Sequence, residues 1–184
     1  MAGKHPKSRK LFKDLCQMQK EDINKLSTWP KEQLYAAPNE NSWSAIQVLN
    51  HLYLSQKGTF NFLNKQLENT KDVPKSLAIK NYVADILLSR FLRSDKKVKA
   101  PSKLPEPDKD TDFEVLKEKY TALASLGEEI LDKIPGKWSG KAVFRHPRAG
   151  WLGTKATFRF LKDHWEHHRY QIKNLEKELA NGKA

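Results

Sequence analysis

Apolar residues recur along most of the chain at steps of three and four, the repeat of a helix that buries one face. Phe12, Leu15, Ile23 and Leu26, with Gln19 in register, predict a first helix over residues 8–27, ended by Trp29-Pro30. After a polar loop containing Pro38, Trp43-Ser44-Ala45-Ile46-Gln47-Val48 opens a second helix. Ser44 and Gln47 have capping-box spacing, and Trp43 and Val48 are placed for a hydrophobic staple. The stripe Ile46, Leu49, Tyr53, Phe60, Leu63 and Leu67 carries this helix to about residue 69.

Pro74 precedes a shorter third helix over 75–94, apolar at Ile79, Val83, Ile86 and Leu87. Residues 95–111 form a linker in which Pro101, Pro105 and Pro107 discourage regular structure. Thr111 and Glu114 give a second capping box for a helix over 112–134, striped by Leu116, Tyr120, Leu123, Ile130 and Ile134 and stopped by Pro135-Gly136. Residues 137–153 read as a turn-rich, hairpin-like excursion. A last helix spans Thr154 to Ala180, with Gly182 past its end. Four long helices and one short one predict an all-α fold, an antiparallel four-helix bundle with an extra crossover helix. The whole of 1–184 reads as one domain, with residues 1–8 as a flexible basic tail.

Composition narrows the class. The chain has 184 residues, 38% of them hydrophobic, enough for one core. No apolar run approaches the length of a membrane span, and the basic start lacks the apolar stretch of a signal peptide, so a cytoplasmic protein is expected. A single cysteine, Cys16, permits no internal disulfide. It neighbours the core positions of its helix, where a free thiol packs as a small hydrophobe.

The net charge of +12 sits at the two ends. Residues 1–20 carry six basic side chains and one acidic, and residues 133–184 carry 12 basic and 4 acidic. This pattern suits an anionic partner, either nucleic acid or a small anionic substrate. The aromatic residues follow helical spacing rather than the sheet arrangement of base-stacking modules, which weakens the nucleic-acid alternative.

Six histidines are His5, His51, His146, His164, His167 and His168. His168 occupies a core position in the last helical stripe, between Trp165 and Ile172, and His164 lies one turn before it on the same face. That is the spacing by which a helix chelates a metal, and equally that of a buried histidine beside an exposed one. His51 lies on a long helix, on the face of Val48, Ser55 and Phe62. Three neutral imidazoles from two helices make a site with open positions, suited to zinc, nickel, iron or copper.

Three segments carry a resemblance: residues 43–52 (WSAIQVLNHL), 144–150 (FRHPRAG) and 160–172 (FLKDHWEHHRYQI). In this order and spacing the chain resembles the DinB-like superfamily over nearly its whole length. The resemblance implies a four-helix bundle with a crossover connection and a divalent metal, zinc or nickel foremost, held by His51, His164 and His168. Gln171, three residues past His168, matches the family's trailing glutamine in a supporting role, and His167 falls on the adjacent helix face. His146-Pro147 matches a loop motif near the site, where a turn role is expected. The resemblance further implies a homodimer and a metal-dependent enzyme, either a thiol-dependent S-transferase or isomerase using a low-molecular-weight thiol, or a hydrolase. Asp163 and Glu166 flank the ligands as candidate bases, and Arg145 and Arg148 flank His146 as candidate anion holders. The competing expectation is a non-enzymatic basic bundle that binds nucleic acid in a stress or damage response.

Overall fold

The computed structural model describes residues 4–69, 74–94 and 106–180. Six helices and one small hairpin follow in order: α1 (Pro6–Leu26), α2 (Lys31–Tyr35), α3 (Ala45–Glu68), α4 (Ile79–Leu92), α5 (Phe113–Lys133), β1 (Phe144–His146), β2 (Gly150–Leu152) and α6 (Thr154–Ala180). The four long helices, α1, α3, α5 and α6, form the bundle, and α4 is the crossover.

The core follows the periodic stripes. Phe12 of α1, Phe60 of α3 and Phe158 of α6 meet edge-on or tilted at the centre, with ring centroids 5.5 to 6.3 Å apart. Gly127 of α5 is what lets Phe12 in: a Cβ there would stand 2.2 Å from Phe12 Cζ. Helix directions follow from cross-helix pairs. Phe12 meets Phe60 and Gln19 donates to Gln56, so α1 and α3 run antiparallel. Asp22 accepts from Trp165 and Arg169, and Lys25 pairs with Glu176, so α1 and α6 run parallel. The α3 and α5 pair is also parallel, because Tyr53 meets Tyr120 and, further along both helices, Phe12 packs against Phe60 and Gly127 alike. The bundle therefore alternates direction only in part, because the crossover through α4 returns the chain to the end from which α3 began.

Local chemistry explains the ends. Ser44 accepts from the Gln47 amide at 3.3 Å and Gln47 Oε1 accepts from the Ser44 amide at 3.0 Å, which is the expected capping box. The second box is a correction. Asp112, not Thr111, caps α5 by accepting from the Val115 amide at 3.0 Å. Thr111 is instead buried, bonded to Asp108 and Asn50. Residues 6–8, expected in the tail, already belong to α1, where Pro6 opens the helix and Ser8 is buried. Residues 1–3 and Gly182 lie outside the described set, as do 95–105 of the linker. Its remainder, 106–111, is irregular. Helix α2 is short enough to have escaped the periodicity, with Pro30 at its start.

Helix α4 departs most from expectation. It starts at Ile79 because residues 75–77 are held extended against 140–142, with Leu77 donating to Gly140 and Ala142 donating to Lys75. Its inward face is not the predicted stripe. Ile79, Val83, Ile86 and Leu87 are all more than half exposed. Facing α6 are Asp85, Ser89 and Leu92, through an Arg159–Asp85 ion pair, a Ser89–Asp163 hydrogen bond and the Leu92 carbonyl against His167 Nδ1. These polar contacts, with Leu88, Phe91 and Leu92 packed against the core, fix this helix and leave the four predicted stripe residues facing outward. No described helix is long and apolar enough to cross a membrane.

Candidate metal centre

His51 sits two turns into α3, and His164 and His168 sit mid-way along α6 one turn apart. Because α3 and α6 pack antiparallel, both faces bring their imidazoles to one place. Each ring offers a nitrogen, and the three nitrogens lie within 4.8 Å of one another. His51 Nε2 and His164 Nε2 are 3.3 Å apart. Among the described residues this is the cluster of histidine, cysteine and acidic groups that could hold a metal ion.

The surroundings orient the rings. Gln171 Oε1 lies 2.8 Å from His168 Nδ1. An amide oxygen only accepts, so Nδ1 carries the hydrogen and Nε2 keeps its lone pair. His164 Nδ1 is 3.4 Å from Ser55 Oγ, which fixes that ring from α3. Trp43 covers the cluster, with ring centroids 5.0 Å from His51 and 6.4 Å from His168. Phe160 stacks on His164 at 5.4 Å. Burial lowers the pKa of His51 to about 4. Burial, then the neighbouring His51, lowers His168 to about 3. His164 is pushed well below its usual value by burial and by His168. All three rings are therefore neutral at pH 7, the form in which imidazole ligates a cation.

This donor set fits a divalent metal. Two imidazole nitrogens bound tetrahedrally at about 2.1 Å would lie about 3.4 Å apart, close to the 3.3 Å between the two Nε2 atoms. Three nitrogens leave further positions for water or substrate, as catalytic sites do.

The remaining candidates go elsewhere. His146 Nδ1 accepts the amides of Arg148 and Ala149 at 3.2 and 3.0 Å, closing the β1–β2 turn. Its ring touches the cluster only through Phe160, 4.6 Å away. His167 Nδ1 binds the Leu92 carbonyl at 2.9 Å and stacks on Phe91, so it anchors α4. Asp163 is buried and takes Ser89 and Arg93, while Glu166 pairs with Lys162. Neither carboxylate faces the imidazoles. Arg145 is exposed on β1. Cys16 packs against the core, and burial with nearby Glu128 raises its thiol pKa to about 11. Ser55, Trp43 and Phe160 complete the site but are not assigned to it by the sequence, which reads Trp43 only as a helix-start staple and Ser55 only as a neighbour on the His51 face. Ser55 had a signal in its spacing of four from His51, whereas Phe160 reads as ordinary core.

Comparison with curated proteins and with solved structures returns no match. The family model of the DinB superfamily matches residues 17–172, from within α1 to one residue past Gln171, and so takes in all three imidazoles. With a helical bundle, a crossover and a three-histidine cluster at the expected positions, the chain belongs to the DinB superfamily.

Proposed function

We propose that the chain is a metal-dependent enzyme in which His51, His164 and His168 hold one divalent cation, zinc or nickel. The observation that carries this is the convergence of three neutral imidazole nitrogens from two helices, with Gln171 and Ser55 holding two of the rings. When bound, the cation would supply a Lewis acid that lowers the pKa of water or of a thiol.

Within that reading a thiol-dependent S-transferase or isomerase is favoured over a hydrolase. A thiol ionises on binding a metal without help, whereas a hydrolase is served by a nearby base, and Asp163 and Glu166 are both engaged with other partners. The chain's contribution is then to orient the rings, to shield them beneath Trp43 and Phe160, and to draw in an anionic substrate through the basic C-terminal portion. His164 keeps part of its surface exposed, which supports access from solvent. The single-domain organisation and the homodimer implied by the family belong to the same proposal, the latter supported by the outward Val83 and Leu87 of α4.

Metal analysis of tag-free protein, purified without chelator and offered zinc and nickel, tests the site. The wild type is expected to retain near-stoichiometric metal and His168→Ala to lose it while keeping its helical content. A wild type that retains none refutes the reading. The alternative, a basic nucleic-acid-binding bundle, rests on exposed Lys4, Lys7, Lys10 and Lys13 at one end of the chain. It predicts salt-steep DNA or RNA binding that survives removal of the histidines.

A further inference from the structure

A cavity of about 500 Å³ opens where α1 and α6 begin. Its size falls among small-molecule sites, and His51, His164 and His168 do not line it. Thr154, the first residue of α6, precedes His164 by ten positions, about 15 Å along the helix axis. The cavity and the imidazole cluster are separate places.

Unmet hydrogen-bonding capacity gathers here. Of four buried side-chain atoms without a partner among the described residues, three belong to residues that line this cavity: Thr154 Oγ1, Arg159 Nε and His5 Nε2. Buried polar atoms are rarely left unpaired, so three at one cavity call for an occupant, ordered water or a ligand. Thr154 is only 5% exposed. Arg159 gives an Nη to Asp85 and leaves its Nε–H unused. His5 holds a φ of 57°, a left-handed conformation that a non-glycine residue adopts at a cost and that often marks a functional position.

Charge and shape define the ligand. Lys7 and Lys155 are exposed at the cavity, and Asp85 is the one acidic residue in its lining. The first amides of α6 have no intrahelical acceptor and add positive potential at this end. The guanidinium is already partly neutralised by Asp85, which matches a single negative charge better than two. Leu77, Trp151 and Leu152 give apolar wall, continued by the half-exposed Tyr82 and Ile86.

The geometry points to a second ligand site that takes a small amphipathic carboxylate. Its carboxylate accepts from Thr154 Oγ1–H, Arg159 Nε–H and the first amides of α6, and its apolar body covers Tyr82, Ile86 and Trp151. The site stands independently of the metal centre.

Calorimetric titration of the full chain with sodium octanoate tests it, with octylamine and inorganic phosphate as comparison probes. Octanoate is expected to saturate one site, octylamine and phosphate to bind at least about tenfold more weakly, and Thr154→Val to weaken octanoate by about tenfold. Thr154→Val should melt at or above the wild-type temperature, because it removes only an unpaired hydroxyl, and should keep its metal content. Ile86→Glu, at an exposed position, should abolish octanoate binding in a folded protein. The site is overturned if octanoate does not saturate, if either variant binds it as the wild type does, or if octylamine or phosphate matches it.

Discussion

Nε2 of His51 stands 3.3 Å from Nε2 of His164, across the α3–α6 interface, with Nδ1 of His164 on Ser55. The second nitrogen of a ring thus engages the chain while the first faces its counterpart. The same holds at His168, whose Nδ1 belongs to Gln171.

Support of this kind has a measurable consequence. Gln171→Ala should lower metal affinity by about 10- to 100-fold, since it frees the His168 ring without removing a ligand. Competition with a chromophoric chelator measures the change, and unchanged affinity would show that Gln171 orients nothing.

Acid should destabilise the metal-free protein. His146 is neutral in the fold, its pKa lowered to about 4 by burial and then by Arg148, while the unfolded chain titrates near 6.5. The unfolded state binds more protons in between, so the contribution is complete above about pH 6.5 and is lost as pH falls through about 4. His146 alone should cost about 2 to 3 kcal/mol between pH 7 and pH 4.5. Urea titrations at the two pH values check this, with His51 and His168 adding in the same direction.

The turn gives a sharper comparison. His146→Asn places an amide oxygen near the position of Nδ1 and should keep the Arg148 and Ala149 amides bonded, whereas His146→Ala leaves both without that acceptor. Alanine should therefore cost about 1 to 3 kcal/mol more than asparagine. Equal melting temperatures would contradict a turn-closing role. Asparagine should also flatten the acid limb, as it carries no titrating ring.

At the core, Gly127→Ala should be destabilising although alanine favours helices. The added methyl meets the ring of Phe12, itself wedged between Phe60 and Phe158. Overpacking of this kind costs about 1 to 3 kcal/mol. Chemical denaturation measures it, and Phe12→Leu in the same chain should recover part of the loss.

If the outward face of α4 meets a second copy, Val83→Glu with Leu87→Glu should convert a dimer to a monomer without loss of helix. Both positions are more than half exposed, so the fold itself does not depend on them. Light scattering at matched concentration decides it. A wild type that is already monomeric removes the proposal.

The long helices were legible because one periodic stripe per helix dictates one buried face, as Phe158, Leu161, Trp165 and His168 do in α6. The Ser44 cap was legible because its partner lies three residues away. Helix α4 was not. Its apolar residues follow a helical repeat like any core stripe, and nothing local shows that Asp85 and Ser89 would find Arg159 and Asp163 far along the chain. The α5 cap failed for a narrower reason, two adjacent competent residues of which tertiary contacts claimed Thr111. At the site, spacing offers only the His164 and His168 pair, equally readable as a buried histidine beside an exposed one. The full ligand set with His51, and Gln171 beside it, come from the resemblance to the family. Trp43 and Phe160 are not assigned to the site by either, since an aromatic beside a histidine looks the same as an aromatic in a core.

Helix α6 serves two masters over a short span. Arg159, Asp163 and His167 face α4, and His164 and His168 face α3. Adding or deleting one residue between 159 and 168 would turn everything beyond it by about 100°, dismantling the imidazole cluster and the crossover together. This stretch should therefore be fixed in length, and insertions are best borne by the polar loop between α2 and α3, where no such shared register exists.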